Sequence, residues 1–553
     1  MLRVFAFGLW NLVRVPFYPL WWAARRLRGR RTRWLRLDVR PQLVEVAGRR
    51  ARLLARLALF RERVPTSLES LRRLARTAAA DPDLTGVVVV LPPLRAGWAM
   101  AEGLRAVLDR LREDGKEVLV WLPEGAGNKE LFVASAASRV AAPPQASLAP
   151  LGLVAESRYY RGLLEQLGVR LEPFARREYK TALEGLSAEG MSPAQREQVD
   201  ALLATIDTRL REGLAARLGG GDVDVDVLFE KALIRGTEAQ ELGLVDDLAH
   251  EDALPALVGE TKLLSAGTYL ALREASFFRP LRRRRFVGVV EVRGPIGDKR
   301  RADAVVGALR SARQNTRCAG VVLHVDSPGG SAAVSDRIHR EVSRLREEKP
   351  VVAAFGDVAA SGGYYVAAGA DRIVAQPTTI TGSIGVVAAR LVASELLERL
   401  GVRTETVRRA PHGDLGSPAR PLGDAERAIF DRELDGFYAD FVALVADGRG
   451  RPVEDIEPLA RGRVWSGADA EARGLVDALG GHDAAVEALA ELRPEVRTLE
   501  SRLLEPRQRL PPPPAEAAAA ALGTLAPDLA LALRLVRGGE RVLLWAPGLP
   551  EVR

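Results

Sequence analysis

A serine set among small residues is the first feature of the sequence that could carry out covalent chemistry. Ser361 lies in the stretch Ala-Ala-Ser-Gly-Gly-Tyr-Tyr, between apolar runs at residues 351–355 and 366–368. The first run predicts a buried strand and the second a buried helix. The serine hydroxyl would then lie at a helix N-terminus, where free backbone N–H groups can hold a developing oxyanion. An ordinary N-cap serine on a structural helix is the alternative.

Two further turns of small residues have the same local organisation. Residues 326–331 read Asp-Ser-Pro-Gly-Gly-Ser and follow a strand-like run at residues 320–325, and residues 381–386 read Thr-Gly-Ser-Ile-Gly-Val. A Pro-Gly-Gly turn after a strand exposes backbone N–H groups to a ligand. We therefore expect the three turns to lie at one strand-end face and to build a single site.

A serine nucleophile needs a base that is neutral near pH 7, and two residue types could supply it. Five histidines are present, none of them in a glycine-rich turn: His250, His324, His339, His412 and His482. A Ser-His-Asp triad stays open, although the position of His324 in a strand-like run predicts a core residue. Lysine is the second type. The chain has 73 arginines and 7 lysines, and because arginine cannot lose its proton, a lysine is the better candidate for a chemical role.

Predicted strands and helices alternate along the chain. Residues 86–91 predict a buried strand, residues 99–113 a helix and residues 118–122 another strand. This alternation predicts an α/β fold with a largely parallel sheet. The length of 553 residues predicts more than one domain.

The sequence repeats itself once. Residues 133–141 align with residues 366–374 at an offset of 233, and residues 236–246 align with residues 467–477 at an offset of 231. A single repetition over such a length indicates two homologous domains in tandem rather than a solenoid.

The two copies differ where chemistry would occur. Aligned at offsets of 233 and 234, the turns of the second copy correspond to different residue types in the first. Asn128 aligns with Ser361, Pro150 with Ser383, and Arg95 and Ala96 with Gly329 and Gly330. The first copy keeps the strands and helices but lacks the nucleophile and the glycine turns. We therefore expect it to be catalytically incomplete.

The three turns of the second copy resemble those of the signal peptide peptidase A family (SppA), within the Clp-protease/crotonase superfamily, in order and in spacing. The resemblance extends over roughly residues 38 to 500. It implies an α/β fold of two tandem Clp-protease/crotonase-like domains at residues 37–275 and 284–500. A membrane-associating segment at residues 1–36 and a Pro/Ala-rich linker with an apolar tail at residues 501–553 flank them.

The same resemblance implies the roles of individual residues. Ser361 would be the nucleophile, Lys180 the general base, and Ser383 the residue that orients the lysine. Backbone N–H groups would form the oxyanion hole, from Gly362 and from Gly329 or Gly330. Lys180 matches the family's pattern only at Tyr-Lys and lies in the first copy, so a dyad would be assembled from both copies; an ordinary surface lysine is the alternative. An exposed lysine has a pKa of about 10.4, so the role requires burial, which lowers a lysine pKa by roughly 3 to 5 units.

These roles predict a membrane-associated serine endopeptidase with a Ser/Lys dyad, which degrades cleaved signal peptides and other extended apolar peptides. The resemblance implies no metal or organic cofactor, and it implies a homotetramer. Two alternatives stay open. A crotonase-type acyl-CoA enzyme shares the oxyanion hole but needs no serine nucleophile, and a non-catalytic membrane scaffold needs none of these residues.

The charge and the N-terminus point to a membrane rather than to nucleic acid. The net charge is +8, and seven arginines fall within residues 25–36, directly after an apolar and aromatic stretch at residues 4–24. That stretch is short and interrupted by Asn11, Arg14 and two prolines, so an interfacial anchor, a weak span and a hydrophobic arm all stay open. The family implies the cell inner membrane with the catalytic body outside the cytoplasm, whereas the arginines after the apolar stretch place the body inside. The side stays open.

The remaining sequence signals are few. One cysteine, Cys318, excludes an internal disulfide. Four prolines at residues 511–514 predict a stiff linker. The apolar tail at residues 525–549 predicts a helix that either packs on the body or lies on a membrane.

Overall fold

The chain folds into two compact units in the computed structural model. The first comprises Met1–Gly152, Ile206–Phe286 and Leu499–Leu503, and the second comprises Leu153–Thr205, Val287–Thr498 and Leu504–Arg553. The structure describes residues 2–21, 23, 33–48, 66–219, 224–278, 280–281, 284–504, 543–545 and 551–552.

Strands and helices alternate through both units, as the sequence predicts. The strands are β1 Trp34–Asp38, β2 Leu43–Val44, β3 Thr66–Ser67, β4 Gly86–Val90, β5 Glu117–Trp121, β6 Ala126–Gly127, β7 Arg139–Ala142, β8 Ser147–Ala149, β9 Ala155–Glu156, β10 Arg170–Ala175, β11 Ile234–Arg235, β12 Asp247–Leu248, β13 Leu264–Ser265, β14 Phe286–Arg293, β15 Cys318–Ser327, β16 Gly329–Ser331, β17 Val351–Ala360, β18 Arg372–Ala375, β19 Ile380–Gly382, β20 Val387–Val392, β21 Val464–Ser466, β22 Ala478–Leu479, β23 Ser501–Leu503, β24 Leu543–Trp545 and β25 Glu551–Val552.

The helices are α1 Leu2–Arg14, α2 Leu68–Ala79, α3 Trp98–Glu113, α4 Asn128–Ala134, α5 Arg161–Gln166, α6 Glu184–Ser187, α7 Pro193–Arg217, α8 Asp226–Lys231, α9 Gly236–Glu241, α10 Leu254–Leu257, α11 Ala266–Glu274, α12 Lys299–Gln314, α13 Ala332–Arg346, α14 Gly362–Ala367, α15 Ser394–Arg399, α16 Asp424–Arg449, α17 Val453–Ile456, α18 Gly467–Ala472 and α19 His482–Leu492. Short 3₁₀ helices span Val15–Phe17, Glu251–Ala253, Glu457–Leu459 and Pro494–Thr498.

The first unit is built around a parallel sheet in the order β12-β7-β5-β4-β1-β13. The inner strands β4 and β5 read Gly-Val-Val-Val-Val and Glu-Val-Leu-Val-Trp and are buried over most of their length. Parallel strands are covered on both faces, so apolar residues fill them without alternation. The predictions for residues 86–91, 99–113 and 118–122 are confirmed to within one residue at each end.

The second unit holds the sheet that carries the three predicted turns. Its order runs β21-β19-β17-β15-β14, and β15, β17 and β19 lie parallel to one another. Ser327, at the end of β15, pairs with Ala359, and Ala360, at the end of β17, pairs with Gly382 at the end of β19. The three strands therefore end at one edge of the sheet, and the residues that follow them meet there.

The repeat in the sequence corresponds to a repeated local structure in each unit. In the first unit, the Asp246 carboxylate accepts a hydrogen bond of 2.6 Å from the N–H of Val140 on β7. In the second, the Asp477 carboxylate accepts one of 2.6 Å from the N–H of Ile373 on β18. In each tandem copy, the corresponding aspartate therefore binds the beginning of a strand to the loop that follows a helix.

The compact units do not coincide with the domain ranges drawn from the sequence. Leu153–Thr205, which the sequence places in the first copy, belongs to the second compact unit. The ranges 37–275 and 284–500 describe the extent of the repeated sequence and stay a prediction.

The two ends of the chain lie partly outside the described residues. The prediction of a helix over residues 525–549 is wrong at Leu543–Trp545, which form strand β24. The rest of that range, the prolines at 511–514 and residues 25–32 lie outside the described residues. At the N-terminus α1 is followed by a 3₁₀ turn at Val15–Phe17. None of the helices in the described parts of the chain has the length and hydropathy that a membrane span requires.

Candidate active site

Ser361 lies at the junction between β17 and α14. Its N–H donates to the carbonyl of Gly382 at 2.8 Å, and its own carbonyl accepts from the N–H of Tyr365 at 2.8 Å. The backbone has a φ of 54° and the side chain makes no capping hydrogen bond. Ser361 therefore occupies the N-cap position without capping the helix, because its hydroxyl is bonded to Lys180 instead.

Lys180 provides the partner of this hydroxyl. Its Nζ lies 2.9 Å from Ser361 Oγ, 2.9 Å from Ser383 Oγ and 2.8 Å from the Ser383 carbonyl oxygen. Ser383 directly follows β19, so both serines come from the strand-end edge described above. All three residues belong to the second compact unit. The structure thus brings together Ser361, Lys180 and Ser383, although 181 residues of sequence separate the lysine from Ser361.

The three side chains are out of contact with water. The exposed fractions are 3% for Lys180, 0% for Ser361 and 3% for Ser383. Burial disfavours the charged ammonium, and it holds the pKa of Lys180 well below its ordinary value. The surface-lysine alternative is therefore wrong. The shift favours the neutral amine, which is the form that a base for a hydroxyl requires.

A strand pair carries Lys180 to this position. β10 pairs antiparallel with β20, with Ala175 opposite Val387. Beyond β10, the N–H of Arg176 still donates to the Val386 carbonyl at 3.1 Å, and the N–H of Tyr179 donates to the Arg461 carbonyl at 3.2 Å. An apolar cluster anchors the segment on both sides of the lysine: Leu171, Leu183, Leu186 and Val387.

Two glycines form the wall against the lysine side chain. A Cβ on Gly462, whose φ is +79°, would lie 2.5 Å from Lys180 Cβ, and a Cβ on Gly385 would lie 3.2 Å from Lys180 Cδ. Contacts this close leave no room for a side chain at Gly462. Nothing in the sequence around Gly462 indicates this role, because a single glycine between two arginines has no local pattern that points to a neighbouring lysine. Gly385 lies in the third small-residue turn and was not singled out.

Unusual backbone geometry is concentrated around the lysine. Five non-glycine residues of the described chain have positive φ: Arg177, Ala232, Ser361, Ser383 and Arg461. Two of them are the serines bonded to Lys180, and Arg177 and Arg461 adjoin the backbone that carries Lys180 and Gly462. Each such residue costs about 1–3 kcal/mol and persists only where its surroundings fix it. This concentration marks the site as the strained part of the second unit.

The predicted oxyanion-hole glycines lie at the same edge. Gly362 is the first residue of α14, a position whose N–H has no acceptor within its helix. The N–H of Gly329 donates to Ser327 Oγ at 3.1 Å and so already has an acceptor. A Cβ on Gly330 would lie 1.8 Å from the Ile296 carbonyl oxygen, so only glycine fits there. Of the two candidates on β16, this geometry favours Gly330 as the donor to an oxyanion.

The hydroxyl of Ser361 is bonded to the lysine and not to a histidine. In the described part of the chain, no histidine is hydrogen-bonded to Ser361, whose Oγ is paired with Lys180. His324 lies inside β15 with 6% of its surface exposed, as predicted for a core residue. Among the described residues, no group of three His, Cys, Asp or Glu side chains could hold a metal ion.

The corresponding position of the first unit has different side chains with different hydrogen-bond partners. Asn128, which faces Ser361 in the repeat, donates through Nδ2 to the Gly152 carbonyl at 2.6 Å. The neighbouring Lys129 donates to the Ala96 carbonyl at 2.8 Å. Both side chains satisfy backbone carbonyls of their own unit. The first copy therefore has neither a nucleophile nor a free base at this position.

An α/β fold that presents a serine at the carboxyl ends of parallel strands, bonded to a buried lysine, has the features of a serine-type hydrolase. The sequence profile of peptidase family S49 matches this chain twice, at residues 110–263 and 343–496. The chain belongs to peptidase family S49. The predicted resemblance and the predicted tandem organisation are thereby confirmed.

Named relatives agree with this assignment. The chain is 32% identical over 430 residues to the chloroplastic serine protease SPPA of Arabidopsis thaliana, covering 74% of this chain and 63% of that protein. It is 31% identical over 437 residues to Protease 4 of Salmonella typhi, covering 75% and 70%. It is 35% identical over 198 residues to a candidate signal peptide peptidase SppA of Enterococcus faecium, covering 36% and 57%. Among solved structures, a ClpP1 mutant from Listeria monocytogenes is 17% identical, covers 35% of this chain and 91% of its own, and has a TM-score of 0.25.

Proposed function

We propose that the protein is a serine endopeptidase in which Ser361 attacks the peptide carbonyl and Lys180 is its general base. The observation that carries the proposal is the distance of 2.9 Å between Lys180 Nζ and Ser361 Oγ in a buried site. A neutral amine has two N–H donors and one lone pair. The two donors fit the Ser383 carbonyl and Ser383 Oγ, and the lone pair then faces the Ser361 hydroxyl. In this arrangement Ser383 positions the lysine.

The reaction follows from these contacts. Lys180 takes the hydroxyl proton as Ser361 Oγ bonds to the carbonyl carbon, and the protonated amine returns that proton to the leaving nitrogen as the peptide bond breaks. The same amine then takes a proton from a water molecule as the water oxygen bonds to the acyl carbon, and it returns that proton to Ser361 Oγ as the bond between Oγ and the acyl carbon breaks. The N–H groups of Gly362 and Gly330 stabilise the oxyanion, each by about 3 kcal/mol.

The proposed substrates are extended, apolar peptides, cleaved signal peptides among them. The resemblance to signal peptide peptidase A and the name of the Enterococcus faecium relative support this class. The site also lies beside β16 and β20, whose backbones can pair with an extended peptide. We further propose that the protein is a homo-oligomer, a tetramer by resemblance, and that it needs no organic cofactor.

We also propose that the N-terminal segment holds the protein on a membrane. Along α1 and the turn after it, large apolar side chains face solvent in this chain: Phe5, Leu9, Trp10, Leu12, Val13 and Phe17. Arg14 lies over the Phe277 ring at 4.4 Å, so an arginine stands beside this apolar surface. Such a surface suits the headgroup region of a bilayer.

Hydrolysis of a fluorogenic peptide derived from a signal sequence tests the activity. The wild-type protein is expected to cleave the peptide, and Ser361→Ala is expected to lose at least a thousandfold in kcat. Ser343→Ala is the matched control, because Ser343 is a partly buried serine of the same unit whose hydroxyl donates to the His339 carbonyl. Residual activity of Ser361→Ala within tenfold of the wild type would remove Ser361 from the role of nucleophile.

A further inference from the structure

A strand from the C-terminal tail lies beside the candidate active site. β24 is the third strand of a four-stranded sheet in the order β10-β20-β24-β16. It runs antiparallel to β16, with Trp545 opposite Gly329, Leu544 opposite Gly330 and Leu543 opposite Ser331. On its other side Leu543 pairs with the first residue of β20. The tail therefore fills the gap between two strands that do not pair with each other.

Both neighbours of β24 belong to the catalytic machinery proposed above. β16 carries Gly329 and Gly330, the candidate oxyanion-hole glycines. β20 pairs with β10, whose continuation delivers Lys180, and it begins four residues after Ser383. β24 also approaches α14, the helix that begins directly after Ser361. The strand thus runs along the edge where the nucleophile, base and oxyanion donors meet.

The gap that β24 fills has the width of one extended peptide. Paired strands lie about 4.8 Å apart, so β16 and β20 stand about two such spacings from each other with a single strand between them. An extended peptide substrate would need the same backbone donors and acceptors of β16 and β20. β24 and a substrate strand cannot occupy this gap together.

A second contact holds the tail to the same unit. β25 pairs antiparallel with β9, with Glu551 opposite Glu156 and Val552 opposite Ala155. The tail is therefore tied down on the far side of β24 as well as within the gap. A segment attached in this way acts at a high effective concentration, of the order of millimolar for a flexible tether, without any strong contact of its own.

We infer that the C-terminal segment is an intramolecular inhibitor, with β24 occupying the peptide-binding gap between β16 and β20. This inference rests on the proposed peptidase function. Hydrolysis of an external peptide then requires the tail to leave the gap, and activity is governed by whatever displaces it. The apolar tail predicted from the sequence as a helix is on this account a substrate-like strand.

A proline in the full-length chain tests the inference. Leu544→Pro is expected to release the tail, because proline is not tolerated in a strand paired on both sides. We expect kcat/KM for the fluorogenic peptide to rise at least fivefold. Ala517→Pro, in the same tail but outside the β24 and β25 segments, is the control and should behave as the wild type. Equal kcat/KM for the wild type and Leu544→Pro, within a factor of two, would overturn the inference.

A binding measurement separates this inference from the peptidase proposal, since it needs no catalysis. A labelled synthetic peptide of residues 540–549 is added to the full chain carrying Ser361→Ala, with and without Leu544→Pro. Fluorescence anisotropy is expected to show at least tenfold tighter binding when Leu544→Pro is present, and no binding of a scrambled peptide. Equal binding with and without Leu544→Pro would overturn the inhibitory role even if the protein proves to be a peptidase. Tighter binding would support it even if no peptide is cleaved.

Discussion

Lys180 is the residue on which the proposed chemistry of this site depends. The fold places an amine in a position that is 3% exposed and surrounds Nζ with three oxygen atoms of two serines. No acidic side chain is paired with Nζ in the described part of the chain, so burial acts on its pKa without an opposing charge. The protein gives up the favourable solvation of an ammonium and gains a neutral base.

The pH dependence of catalysis follows from the direction of that pKa shift. The reaction needs the neutral amine, so kcat/KM should be low where Lys180 is protonated and should rise as pH increases through its lowered pKa. An unburied lysine would give this rise only near pH 10.4, roughly its ordinary pKa. The measurement is a profile of kcat/KM from acid to alkaline pH. The rising limb should persist unchanged in His324→Gln and His412→Gln, and its loss in either variant would return the role of base to a histidine.

The same shift predicts a pH-dependent contribution to stability. In the unfolded chain the lysine is protonated below about pH 10.4, whereas the folded protein holds it neutral down to its lowered pKa. Because the unfolded state binds one more proton in that window, the stability of the wild type should rise with pH there. Lys180→Met, which fills similar space without a proton, should lack this contribution. In thermal unfolding, the melting temperature of Lys180→Met should exceed that of the wild type by most at the low-pH end of the window. The difference should shrink as pH rises. An advantage independent of pH would contradict a neutral Lys180.

At the scale of elements, the site is the meeting point of strand ends with a strand pair from a distant part of the chain. β15, β17 and β19 end together and present Ser361, Ser383 and the glycine turns. The pairing of β10 with β20 then brings Lys180 to them. Gly462 closes the space behind the lysine.

The glycine wall can be tested with a matched pair of substitutions. Gly462 and Gly450 both have left-handed backbone, with φ of +79° and +60°, but a Cβ would lie 2.5 Å from Lys180 Cβ at Gly462 and meet nothing within 4 Å at Gly450. Alanine at either position should cost about 1–2 kcal/mol of stability for its backbone conformation. Only Gly462→Ala should displace the lysine, and a displacement of about 1 Å lowers the rate about 100-fold. Steady-state kinetics on both variants check this; equal kcat values would show that Gly462 does not position Lys180.

The sequence predicted those elements whose signals are local. Short stretches of about ten residues are enough to recognise the apolar runs on either side of Ser361 and the glycines of the three turns. The strands form where these stretches predict them. Lys180 had only the pair Tyr-Lys in its favour, because its environment is created by β20 and by residues near 460, which its own neighbours do not reveal. The strand β24 was predicted as part of a helix, since an apolar segment becomes a strand only when β16 and β20 supply its hydrogen-bonding partners.

In the molecule as a whole, the two copies of the duplicated sequence have kept different features. Both copies keep the aspartate that fixes a strand start, at Asp246 and Asp477. Only the second copy keeps the serine and glycine turns, while Leu153–Thr205, from the first copy by sequence, is part of the second compact unit. This gives a physical reason for the first copy to persist without a nucleophile, since its sequence supplies the lysine.

The N-terminal segment is the part of the molecule that we expect to bind a membrane. Deleting residues 1–32, which stops short of β1, removes the exposed apolar side chains of α1 and most of the arginines that follow them, so the truncated protein should no longer sediment with lipid vesicles. Hydrolysis of a small soluble peptide should be unchanged, because these residues lie outside the second compact unit. Co-sedimentation with vesicles that contain anionic lipid measures the first effect. If the truncated form still sediments, the membrane contact lies elsewhere in the chain.

Labelling with a serine-directed phosphonate, read by mass spectrometry of the intact protein and of its peptides, is the decisive measurement for the Ser361/Lys180 dyad. The wild type should carry one adduct, on Ser361, and Ser361→Ala should carry none. Lys180→Arg should react several orders of magnitude more slowly, because a guanidinium cannot accept the hydroxyl proton. An unlabelled wild type, an adduct on a different serine, or a Lys180→Arg variant that is labelled at the wild-type rate would contradict a Ser361/Lys180 dyad.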